Sequence, residues 1–88
     1  MNYENEGAAI REQSKTLVLS FMRNSPECIP CNKGLRQAEI FRECGFDWGD
    51  FPNAETTKQQ YWIVALLREL ETEGTVQRDS DTKYWRLR

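Results

Sequence analysis

Histidine is absent from this chain of 88 residues. Its absence removes the commonest general base and the commonest metal ligand at once. No glycine-rich phosphate loop is present, and the carboxylates are spread along the chain instead of clustering near a nucleophile, so nothing in the sequence supports an enzyme. No stretch approaches the roughly 18 apolar residues that a membrane span needs. Residues 1–8 lack a basic segment followed by an apolar run, and a soluble, cytoplasmic protein without a signal peptide is expected. Repeats and low-complexity tracts are missing too. The chain is also not basic: its net charge is −2, so polyanion binding through bulk charge is excluded and any such binding requires a local cationic surface.

What is present fits one small domain. A hydrophobic content of 39% supports one modest core, and 30% charged residues leave a well-solvated surface. A polar, flexible tail over residues 1–9 is expected, followed by a domain over 10–88. Ile10, Leu17, Val18, Phe21 and Met22 recur at helical spacing and predict a first helix from about Ile10 to Arg23, ended by Asn24-Ser25-Pro26. Leu35, Ala38, Ile40, Phe41 and Cys44 mark a shorter second helix closed by Gly45. Residues 46–55 read as a second loop, held to the body by Trp48 and Phe51.

The last third is the most informative. Ile63, Leu66, Leu67 and Leu70 fall at i, i+3, i+4 and i+7, one apolar face of a third helix. Thr57 and Gln60 form a capping box at its start, and Gly74 stops it. Thr75 to Arg78 and Lys83 to Arg88 then form a hairpin around Asp79-Ser80-Asp81-Thr82. Alternation puts Val76, Trp85 and Leu87 on the core face and Gln77, Tyr84, Arg86 and Arg88 outside.

Three helices followed by a hairpin is the chain order of the winged-helix superfamily. Leu35-Arg36-Gln37-Ala38-Glu39-Ile40-Phe41 with Cys44-Gly45-Phe46 resembles the second helix of helix-turn-helix proteins. Tyr61 to Gly74 leading into Thr75-Val76-Gln77-Arg78 resembles the third helix and first wing strand, and Tyr84-Trp85-Arg86-Leu87 the returning strand. The resemblance spans roughly Ser14 to Arg88 and implies an α+β fold, a three-helix winged helix-turn-helix with a C-terminal β-hairpin wing. One departure is the connection over residues 46–55, longer than the 3–4 residues of a compact helix-turn-helix.

The resemblance implies double-stranded DNA as partner. Thr56, Thr57, Lys58, Gln59, Gln60 and Tyr61 would meet base edges in the major groove, where glutamine suits adenine and lysine suits guanine or phosphate. Arg78, Lys83, Arg86 and Arg88 would lie on flanking phosphates, with Lys33 and Arg36 at the start of the second helix neutralising another. Glu69, Glu71 and Glu73 belong to the far half of the third helix, away from the duplex. A plainer reading stands beside each point: Thr57 and Gln60 only cap, Tyr61 and Trp62 cover the edge of the core, and the hairpin cations only block edge pairing. A winged helix used for contact with a protein partner, or with a second copy as a homodimer, is the alternative function.

Cys28-Ile29-Pro30-Cys31 has the C-x-x-C spacing that can hold zinc, with Cys44 as a third thiolate. A fourth ligand is lacking unless Asp47 or another chain supplies it. The thioredoxin-type alternative lacks its βαβ setting, and a disulfide is disfavoured in a reducing compartment. Free thiols in and beside the core, with no cofactor, are the expectation.

Overall fold

A computed structural model describes residues 2–46 and 61–88, with Tyr61 and Trp62 described by their backbone only. The architecture is α+β: helices α1 (Tyr3–Arg23), α2 (Gln37–Glu43) and α3 (Tyr61–Thr72), then an antiparallel hairpin of β1 (Val76–Arg78) and β2 (Trp85–Leu87). A single 3₁₀ turn, Pro26–Cys28, follows α1. Among the described residues no helix is long and apolar enough to cross a membrane.

α1 begins at Tyr3 instead of Ile10. Its start is fixed by polar chemistry that hydrophobic periodicity does not register: the Asn2 side chain accepts from the Asn5 N–H at 3.1 Å, and Glu4 and Glu6 occupy the first turn, where the helix dipole favours negative charge. Its buried face also differs from expectation. Val18 and Met22 are fully buried and Phe21 packs against the core, but Ile10 and Leu17 are exposed. The third buried member of the stripe is Lys15, at i−3 from Val18 and i−7 from Met22.

Burying an ammonium is costly unless it is paired. Lys15 Nζ donates to Glu73 Oε2 at 2.6 Å, Glu69 Oε1 at 3.1 Å and Glu12 Oε1 at 3.2 Å. The hydrogen bond to Glu73 is the largest influence holding this lysine above its ordinary pKa, against the opposing effect of burial. Glu69 on α3 and Glu73 in the turn just after it therefore face α1 and clamp it to the end of α3.

α3 buries Ile63, Leu66, Leu67 and Leu70, the expected stripe. Gly74 has φ +84° and Gly45 has φ +73°, so each helix is terminated in the left-handed region that a side chain disfavours. The Thr57–Gln60 capping box, the loop aromatics Trp48 and Phe51 and residues 47–60 generally lie outside the described residues.

α2 is shorter than its apolar pattern indicates, because Leu35 does not belong to it. Leu35 is extended and forms a β-bridge to Trp85: its N–H donates to the Trp85 carbonyl at 2.8 Å, and the Trp85 N–H donates back at 2.7 Å. The approach to α2 is thus tied to the hairpin. The β1–β2 register is Val76 to Leu87, Gln77 to Arg86 and Arg78 to Trp85. Val76 and Trp85 are fully buried and Leu87 packs against the core as expected, with Leu66 and Leu70 in the same cluster. The Asp79 carboxylate organises the turn, accepting from the N–H groups of Asp81 at 2.8 Å and Thr82 at 3.0 Å. These bonds, that from Thr82 foremost, hold its pKa below the ordinary value.

Candidate nucleic-acid interface

The hairpin is too short to be stable alone. Its docking onto the start of α2 creates a groove of about 510 Å³, lined by Arg36, Gln37, Arg78, Thr82, Lys83 and Tyr84, with Ala38 beside them. Arg36 is the N-cap of α2; its N–H reaches Glu39 Oε1 at 3.3 Å, while its guanidinium lies 5.8 Å from the centre of the Tyr84 ring. The hydrogen bond between Arg36 and Tyr84 is the largest influence raising the pKa of this arginine. The Arg36 side chain remains 70% exposed, so much of its hydrogen-bonding capacity faces water. Lys83 has φ +68° and is exposed at the end of the turn, with Nζ donating to the Ser80 carbonyl at 2.7 Å.

Arg78 lies opposite Trp85 and therefore shares its face of the hairpin. Its guanidinium carbon is 5.8 Å from the Trp85 ring, and that of Arg68 on α3 is 5.4 Å from the same ring. Arg78 thus roofs the core tryptophan while lining the groove. Such cation–π contacts contribute most when shielded from water.

Of the six cations expected on a nucleic-acid backbone, the fold gathers Arg36, Arg78 and Lys83 at this groove. Arg86 braces the hairpin turn instead, with its Nη1 3.4 Å from Asp79 Oδ2 and its side chain only 20% exposed. Lys33 and Arg88 are exposed but do not line the groove, and the Arg88 N–H donates to the Thr75 carbonyl at 3.1 Å. Thr56, Thr57, Lys58, Gln59 and Gln60, and the side chain of Tyr61, fall outside the described residues.

Lys15 is the residue that sequence reasoning missed. The available signal was its helical phase, three residues before Val18, together with two acids four residues apart at the end of the third helix, Glu69 and Glu73. The acids at the end of α3 and just past it also have defined partners: Glu69 and Glu73 bind Lys15, and Glu71 pairs with Arg68 at 2.9 Å. Among the described residues no carboxylate lines the cationic groove; Glu39 lies beside it, 3.9 Å from Arg36 Nε.

The cysteines are not gathered. Cys28 is fully buried, with its sulfur 4.0 Å from the Trp85 carbonyl; Cys31 is exposed and Cys44 half-buried at the end of α2. Among the described residues no group of three His, Cys, Asp or Glu side chains could hold a metal ion. Burial pushes the thiols of Cys28 and Cys44 each up to about 11. In native protein at pH 8, a thiol reagent should therefore modify Cys31 rapidly and Cys28 only after unfolding, with Cys44 intermediate.

The same groups set an alkaline limit. Cys28 and Cys44 ionise in the unfolded chain near 9.0 but in the fold only near 11, so their contribution is intact below pH 9 and is lost as pH rises through 11. Lys15 acts in the same direction: its raised folded pKa keeps the proton that an unfolded lysine releases above about 10.4. The melting temperature should fall steadily between pH 9 and 11, and a flat profile would contradict these burials.

No protein-family model, curated protein or solved structure matches this chain.

Proposed function

We propose that this protein is a DNA-binding winged-helix module, acting as a small transcriptional regulator or as the DNA-targeting part of a larger machine. The observation that carries the reading is the convergence of Arg36, Arg78 and Lys83 on one groove beside Tyr84, in a chain of net charge −2. Pairing of Lys15 with Glu69 and Glu73, and of Arg68 with Glu71, supports it by lowering the net negative charge at this end of the molecule. The layout adds further support: three helices, a hairpin after them and a β-bridge from the segment before α2 to the returning strand are compatible with a winged helix.

On this reading the groove holds phosphates of the DNA backbone. Arg36 and Lys83 supply the exposed charge, while Arg78 contributes from beneath. Residues 56–61, the stretch of chain leading into α3, take the base edges, with Gln59 and Gln60 as the adenine-reading side chains. The groove contacts set affinity without sequence preference, and the helix contacts set specificity.

Duplex binding measured across a salt series tests the proposal. Arg36→Ala and Lys83→Ala should each weaken binding to all duplexes and reduce the slope of log K on log salt by about 0.9, the value for one released counterion on B-DNA. Arg23→Ala removes an exposed cation of α1 that does not line the groove and should change the slope much less. Absence of any salt-sensitive affinity for duplex DNA at low ionic strength would sink the DNA reading and favour a protein-contact module.

A further inference from the structure

Among the described residues four large hydrophobic side chains are exposed, and three of them, Tyr3, Ile10 and Leu17, recur at seven-residue intervals along α1. Gly7 and Ser14 lie between them, so Tyr3, Gly7, Ile10, Ser14 and Leu17 form a continuous stripe with alternating spacings of four and three. That is the seam of a paired helix, in which the period of 3.5 keeps one face toward a partner. The three large side chains are 76%, 61% and 46% exposed in that order, so the seam runs off the core toward the N-terminal end of α1. Next to it lies an apolar groove of about 300 Å³ between α1 and α3, lined by Gly7, Ile10, Ser14, Ala65 and Leu66 with Glu69 at its edge.

We propose that this face docks a second copy of the chain through an antiparallel α1–α1 pairing, with the two-fold axis passing between Ala8 and Ala9. The surface is self-complementary, as a two-fold interface requires. In this register Tyr3 lies opposite Ser14 of the second copy and Ile10 opposite its Gly7, so both large residues within the paired stretch meet a small one, while Leu17 falls past the N-terminal end of the second copy's α1. Each Ile10 enters the groove that Gly7, Ala65 and Leu66 leave open on the other copy. Charge agrees with shape. Glu6 comes level with Arg11 of the second copy, twice by symmetry, and the Arg11 side chain is 58% exposed, with Glu69 Oε2 at a distant 3.9 Å as its ion-pair partner among the described residues. Antiparallel packing also sets each helix dipole against its opposite. A partner with an acidic surface would gain from Arg11 but not from Glu4 and Glu6, whereas a second copy uses both signs.

The dimer is tested with the 88-residue chain by sedimentation equilibrium at about 100 μM, where a micromolar association is nearly complete. Wild type should show twice the chain mass, and Ile10→Glu should show the monomer mass with an unchanged circular-dichroism spectrum. Glu6→Arg and Arg11→Glu should each weaken association at least tenfold, and the double exchange should restore it within about threefold because the two charges then meet again. A monomeric wild type, or an Ile10→Glu variant that stays dimeric, overturns the proposal. Failure of the charge exchange to restore association overturns the antiparallel register. Duplex binding is read separately, so loss of the dimer and loss of DNA affinity are distinguishable.

Discussion

Trp85→Ala should lower the unfolding free energy by about 3–5 kcal/mol, the range for emptying a buried aromatic site. Trp85 is fully buried and lies in one core cluster with Val76, Leu66 and Leu70. Its backbone bridges Leu35 in both directions, and its ring carries the guanidinium groups of Arg68 and Arg78. Truncation leaves the backbone bridge in place but removes the apolar anchor of the hairpin and the surface on which Arg78 rests. In a domain of this size the melting temperature should drop by at least about 12 °C. Trp85→Phe should cost less than half as much. It retains a ring for the two arginines and deletes an indole N–H that is buried without an acceptor, a group whose burial is itself unfavourable. An unchanged melting temperature in Trp85→Ala would show that the hairpin is not docked by this side chain. Near-equal losses in the two variants would show that aromatic packing is not what the site requires.

Gly34→Ala should cost roughly 2–5 kcal/mol, combining left-handed backbone strain with overpacking. Gly34 has φ +84°, and a Cβ there would run into the Trp85 carbonyl oxygen, lie 2.8 Å from the carbonyl carbon and stand 3.3 Å from Arg86 Cβ. The Gly34 N–H also donates to the Glu27 carbonyl at 2.7 Å, which fixes the loop against movement. The internal controls are Gly45→Ala and Gly74→Ala. Both positions have positive φ, yet a Cβ at either meets nothing within 4 Å, so only backbone strain of about 1–2 kcal/mol applies. Chemical denaturation of the three variants separates the contributions. Equal losses would mean that the Leu35–Trp85 bridge has room to open. A larger loss at Gly34 would locate the constraint where the segment before α2 is pressed against the returning strand, and would connect the stability of that bridge to the geometry of the cationic groove.

The alternation of Val76, Trp85 and Leu87, the Ile63–Leu70 stripe and the stops at Gly45 and Gly74 were all decided by the sequence itself. Each depends on local periodicity or on a backbone conformation that one residue type favours, so neighbours in the chain carry the information. The α+β element order was legible for the same reason. The pairing of Leu35 with Trp85 was not, because a bridge between remote segments leaves no period in either. Leu35 reads as the first apolar residue of α2 until the returning strand claims its hydrogen bonds. Lys15 was equally hidden: a lysine in a helical stripe ordinarily lies at the surface, and the approach of Glu69 and Glu73 from the end of the third helix, added to Glu12 on its own helix, makes its burial tolerable. The same three-dimensional pairing offsets part of the charge of those two acids, just as Asp79 drew in Arg86. Composition could therefore establish that a cationic surface had to be local, but tertiary structure decided which cations were gathered. Arg36, Arg78 and Lys83 meet because the hairpin packs beside the start of α2, a contact set by the burial of Trp85 and not by any pattern in the basic residues.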